Sequence, residues 1–158
     1  MSCSVLAALA AAATLNMTAV ETATPPPAVP PSASLAVEPF YADIVSRSIG
    51  MKAMVDRWIA DQAGADAAFA QRADWTAFRE QAEALSRLDM QGHVDLRERN
   101  IDGDLKCILR GLSEDIPRRV EAVEQAADAR ARADALSELA YLLDDNAAVI
   151  TAPPQPSV

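Results

Sequence analysis

The chain has 158 residues, 23 acidic side chains against 14 lysines and arginines for a net charge of -9, and a composition that is 51% hydrophobic but only 4% aromatic. That length accommodates one ordinary domain with tails, and the charge argues against a nucleic-acid backbone as a partner, since phosphates would be repelled at long range. An apolar content of alanine and aliphatic residues, with valines and isoleucines scattered rather than alternating, favours helices over strands.

Met1 to Val20 contains no charged side chain, and Val5 to Leu15 (VLAALAAAATL) is an apolar run of signal-peptide-core length. Residues 1–23 therefore read as a signal peptide, with Ala19 or Ala23 as the small residue at cleavage, although no Lys or Arg precedes the run. An uncleaved anchor is the alternative, and Ser2, Ser4, Thr14, Asn16 and Thr18 make it a poor membrane span. The expected location is the periplasm or the secreted space, with membrane contact only through this segment in transit. Cleavage would remove Cys3 and leave Cys107 with no partner for an internal disulfide.

Residues 24–38 are rich in proline and read as a disordered, extended spacer; residues 151–158 (TAPPQPSV) read as a similar tail. The folded domain is then 39–150. From Pro39 onward, Phe40, Ile44, Met51, Met54, Val55, Trp58 and Ile59 form one stripe, predicting a helix over about 40–62 with Gly64 as its stop. A short helical turn is expected over 65–72. Asp74 offers a cap for a second helix, in which Trp75, Phe78, Ala82, Leu85 and Leu88 recur at spacings of three and four until Gly92 ends it. His93 to Gly103 lacks a period and is a fraying continuation or a connecting loop.

Asp104 stands where it could cap a third helix with Leu105, Ile108, Leu109 and Leu112 on its apolar face. Pro117 should break or restart that helix, with Ser113 or Asp115 as cap. Ile116, Val120 and Val123 line the next segment, and Leu136, Leu139, Leu142 and Leu143 the last. Ala126 to Ala135 lacks glycine and proline but is read as a tight turn capped by Asp128, because one rod of about 30 residues would outrun so small a domain. The predicted fold is all-α, a small antiparallel helical bundle of four or five helices.

The stretch RNIDGDLKC, Arg99 to Cys107, resembles chemistry most. In the frame of a calcium loop Gly103 sets position six, placing Glu98, Asn100 and Asp102 at ligand positions, but Leu109 stands where a bidentate Glu is required and Lys106 where a ligand or its water belongs. The reading is a turn with Gly103 at its bend. Cys107 is read as a small buried hydrophobe beside the apolar stripe; a catalytic role would need the only histidine, His93, as its base, with no hydrolase motif around either. His93 with Met90 as an axial haem pair is disfavoured, because both lie on one segment and haem needs ligands on facing helices. Asp144 with Asp145, and Glu114 with Asp115, are sequence neighbours that diverge around a helix and read as solvated face. Trp58 and Trp75 read as core.

No catalytic residue, metal ligand or cofactor is therefore assigned, and the chain is better suited to binding than to catalysis. The expectation is an exported helical bundle with a non-catalytic protein-binding or structural role, its partner another protein or a second copy of itself. The alternative is a carrier of a ligand, metal or haem inside the bundle.

Overall fold

The computed structural model describes residues 32–101 and 103–152. The predicted signal peptide, the spacer up to residue 31 and the tail beyond Ala152 lie outside the described residues. Four helices follow one another: α1 (Pro39–Ala60), α2 (Ala73–Glu98), α3 (Gly103–Glu124) and α4 (Ala129–Thr151), with short 3-10 turns at Ser32–Val37, Ala63–Ala65 and Phe69–Gln71. No strand occurs among the described residues. The helices run up, down, up, down. α1 packs along α4, α2 along α3 and α3 along α4, while α1 and α2 touch less and meet mainly at their ends. This is the predicted antiparallel bundle, with four helices.

Each helix buries the stripe that its apolar spacing dictates. In α1 the buried residues are Tyr41, Ile44, Ser48, Met51, Val55 and Trp58; in α2 they are Trp75, Phe78, Ala82, Leu85, Asp89, Gly92 and Leu96. Leu105, Leu109, Leu112, Ile116, Val120 and Val123 supply α3, and Leu136, Leu139, Ala140, Leu143 and Ile150 supply α4. Most of the few aromatics gather at one pole, where Trp58, Phe69, Trp75 and Phe78 lie with ring centroids 5.1 to 5.6 Å apart. Both tryptophans are core residues, and each indole N–H donates to a carboxylate: Trp58 to Asp74 at 3.2 Å and Trp75 to Glu124 at 3.0 Å.

The folded part reaches back into the stretch expected to be spacer. Leu35, in the first 3-10 turn, is buried in the main core. Half-buried Ala36 packs beside it and Glu38 is paired with Arg99, so the segment following Pro31 is tied to the bundle by several contacts.

Four boundaries differ from expectation, some for a local reason and some because of a residue distant in sequence. α1 is closed by Gln62, in a left-handed conformation with φ 52°, whose N–H bonds the Ile59 carbonyl at 3.1 Å. Gly64 serves a close approach instead, since a Cβ there would lie 3.2 Å from Cδ1 of Leu136 on α4. Asp74 does not cap α2. The helix begins at Ala73, and Asp74 lies in its first turn, held by two hydrogen bonds from Arg72 at 3.0 and 2.8 Å. Nor does Gly92 end α2, which continues to Glu98. A Cβ at Gly92 would stand 3.0 Å from Leu109 and 3.4 Å from Tyr41, so the glycine admits close neighbours in mid-helix.

Pro117 is the fourth. It lies inside one continuous helix, neither breaking nor restarting it, and neither Ser113 nor Asp115 caps anything. A proline has no N–H for the carbonyl four residues earlier, here that of Ser113. Ser86 on α2 supplies the missing donor, its Oγ lying 2.6 Å from the Ser113 oxygen. The turn between α3 and α4 is as predicted: Asp128 is the N-cap of α4, accepting a hydrogen bond from the Ala131 amide at 2.8 Å.

Candidate functional site

The segment around Asn100 closes α2 by a recognised backbone arrangement. Asn100 has φ 52°, its amide bonds the Arg97 carbonyl at 3.2 Å, and the Ile101 amide bonds the Leu96 carbonyl at 3.0 Å. That pair of bonds, with half-buried Ile101 against the core, is a Schellman motif. The bend is thus at Asn100 rather than Gly103, and α3 starts at Gly103 with Asp104 in its first turn instead of at the cap. Asp102 lies outside the described residues. No group of three His, Cys, Asp or Glu residues close enough to share a metal ion occurs among the described residues.

Cys107 is exposed, contrary to its expected burial. It follows buried Leu105 by two positions, about 200° around the helix, and so emerges on the far side. His93 spends its Nδ1 on the Lys106 carbonyl, 2.7 Å away, joining α2 to α3. Met90 lies at the surface of α2. Glu114 and Asp115 are solvated partners of Arg110 and Arg118, as expected of a polar face.

A polar network closes the pole opposite the tryptophans. Tyr41 donates to Asp95 at 2.7 Å, and Arg99 bridges Asp95 and Glu38 at 2.8 to 3.0 Å. Burial, then the Asp95 contact, raises the pKa of Tyr41 above its ordinary value. Burial pushes Asp95 upward, but the Tyr41 and Arg99 hydrogen bonds outweigh it and leave the carboxyl lowered. In the first turn of α4, Arg132 donates to the carbonyls of Gly64 at 2.9 Å and Asp66 at 3.2 Å, stapling the α1–α2 connection to the bundle.

Two features were not singled out from sequence. The first is Asp89, fully buried in α2, whose Oδ2 accepts a hydrogen bond from Nδ2 of equally buried Asn146 on α4 at 3.0 Å. Its signal was the spacing: Asp89 is four residues after Leu85 and seven before Leu96, squarely on the buried stripe, which passes through Asp89 rather than Leu88.

The second is the outer face of α1 and α4. Lys52 on α1 is held protonated chiefly by its hydrogen bond to Asp56, with a weaker contribution from Asp144 across on α4. Ile49 precedes Lys52 by one turn and Tyr141 precedes Asp144 by one turn, so on antiparallel helices both lie beside these two charges on one surface. Ile49 is 57% exposed and Tyr141 69%. Ile59 continues the strip into a shallow cleft of about 320 Å³ floored by Trp58, Ala133 and Leu136. A cleft of about 410 Å³ between α2 and α3 is rimmed instead by Arg79, Glu83, Glu121 and Glu124. No described helix is long and apolar enough to cross a membrane. Comparison with protein-family models, curated proteins and solved structures finds no match.

Proposed function

We propose that this is an exported, periplasmic helical-bundle module with a non-catalytic role, binding another protein through the outer face of α1 and α4. The observation that carries the reading is the exposure of Ile49, Tyr141 and Ile59 on that face, around the Lys52 and Asp144 charges and beside a cleft lined by Trp58, Ile59 and Leu136 with Arg130 at its edge. Single exposed apolar residues are ordinary, but several on one surface beside a cleft suit a partner, and tyrosine combines an apolar body with a polar tip for that purpose. Support for export comes from the uncharged apolar run Val5 to Leu15.

A photoreactive benzoylphenylalanine placed at Tyr141, or at exposed Gln81 on α2 as control, tests the face in cells. The expected result is a discrete adduct with another protein from position 141 and none from position 81, abolished by Ile49→Glu. An adduct of two copies of this chain would replace the partner with self-association, and no adduct from 141 overturns the reading. Mass spectrometry of the cellular protein tests export separately: a chain retaining Met1 in the cytosol refutes it.

A further inference from the structure

Asp89 and Asn146 meet across the diagonal of the bundle, and the antiparallel register fixed by Tyr41 against Asp95 and Trp58 against Trp75 puts buried Ser48 of α1 within about a turn of them. One hydrogen bond joins the pair, yet Asp89 Oδ1 and Asn146 Oδ1 are both buried with no partner. An ionised carboxylate and an amide oxygen are acceptors only, so neither can satisfy the other. One proton changes that. A protonated Asp89 can donate to the Asn146 oxygen while Asn146 Nδ2 donates back, closing a neutral pair in which every oxygen is used.

We propose that Asp89 is a carboxylic acid in the folded protein, forming with Asn146 a neutral latch between α2 and α4, and that loss of its proton to solvent opens the bundle.

No charge from any neighbouring element competes with this. On α1, Arg47 is paired with Asp43 and Lys52 with Asp56, and Ser48 donates to the Ile44 carbonyl. On α3, Arg110 is exposed and turned to Glu114, and Ser113 donates to the Arg110 carbonyl. On α4, Asp144 is exposed and Asp145 half-buried. On α2 itself, Arg87 is exposed beside Glu83, and His93, one turn on, is engaged by Lys106. Burial dominates, pushing the Asp89 pKa up to about 8 against a small opposing effect of the Asn146 hydrogen bond, and no charged group contributes. The sign follows by linkage: the unfolded chain releases the proton near pH 4 and the folded one near 8, so the stabilisation is complete below about pH 4 and is lost as pH rises through about 8.

The side-chain carboxyl of Asp89 can be followed by carbon NMR in the full chain from pH 4 to 10, alongside urea denaturation of wild type and Asp89→Asn. The expected midpoint for Asp89 lies well above the ordinary carboxylate range, and the wild-type urea midpoint falls from pH 5 to 9. Asp89→Asn, which keeps the neutral pair, should lose most of that fall and become more resistant to urea than wild type at pH 9. A carboxyl titrating near 4, or an Asp89→Asn variant with the wild-type pH slope, overturns the latch. The NMR titration needs no variant, so it decides the matter even if Asp89→Asn fails to fold.

Discussion

Ser86→Ala tests whether a side chain on α2 repairs the backbone defect that Pro117 creates in α3. The hydroxyl lies 2.6 Å from the Ser113 carbonyl, and no amide at position 117 can take its place. Removing it leaves a partly buried acceptor without a donor, which costs about 1 to 2 kcal/mol, or a drop in Tm of about 4 °C per kcal/mol for a domain of this size. Alanine's better helix propensity offsets a few tenths of that. The offset cancels in a double-mutant cycle with Pro117→Ala. That second change returns an amide to residue 117, which can bond Ser113 along the helix, so Ser86→Ala should then cost less than about 0.5 kcal/mol, a coupling of about 1 kcal/mol. Urea denaturation of the four proteins, followed by circular dichroism, measures it. Equal costs for Ser86→Ala in both backgrounds would refute the repair.

Two glycines should respond oppositely to alanine. Gly50 is exposed in mid-α1 with nothing within 4 Å of the added Cβ, so Gly50→Ala should raise stability by about 1 kcal/mol. Gly64→Ala drives a methyl to 3.2 Å from buried Leu136 and should lower Tm; an increase would mean the α1–α2 connection yields more easily than its Arg132 staple implies. Asp128→Ala removes the one side-chain cap of α4 and should cost about 1 kcal/mol, with faster amide exchange confined to the first turn, around Ala131. Unchanged exchange there would count against the cap.

The all-α class, the antiparallel arrangement and most of the core followed from spacing, because apolar residues three and four apart have one way to leave water; spacing left the number at four or five, and Pro117 inside α3 makes it four. Punctuation was less legible. Gly92 and Pro117 both look like stops, but each is accommodated inside a helix by a residue distant in sequence: Leu109 and Tyr41 crowd the first, and Ser86 supplies the second with a donor. Such compensation has no local signature. Asn100 shows the converse, a left-handed cap that looked like a calcium ligand because asparagine suits both roles. Cys107 was misplaced because it lies about 200° around the helix from Leu105 and so faces solvent rather than the apolar stripe. Asp89 was legible in principle, as an acid on an apolar stripe, but its partner Asn146 becomes visible only when α2 and α4 share a core.

The gathering of both indoles at one pole decides what light can report. Trp58 and Trp75 have ring centroids 5.6 Å apart, whereas Asp89 lies fourteen residues along α2 from Trp75, about 21 Å at 1.5 Å per residue. Emission from this chain therefore samples the junction of α1 and α2 and is nearly blind to loosening at the far end. An intensity trace that stays flat while ellipticity falls would mark a molecule unzipping from the Tyr41 pole, where the same experiment on a protein with dispersed indoles would record one event.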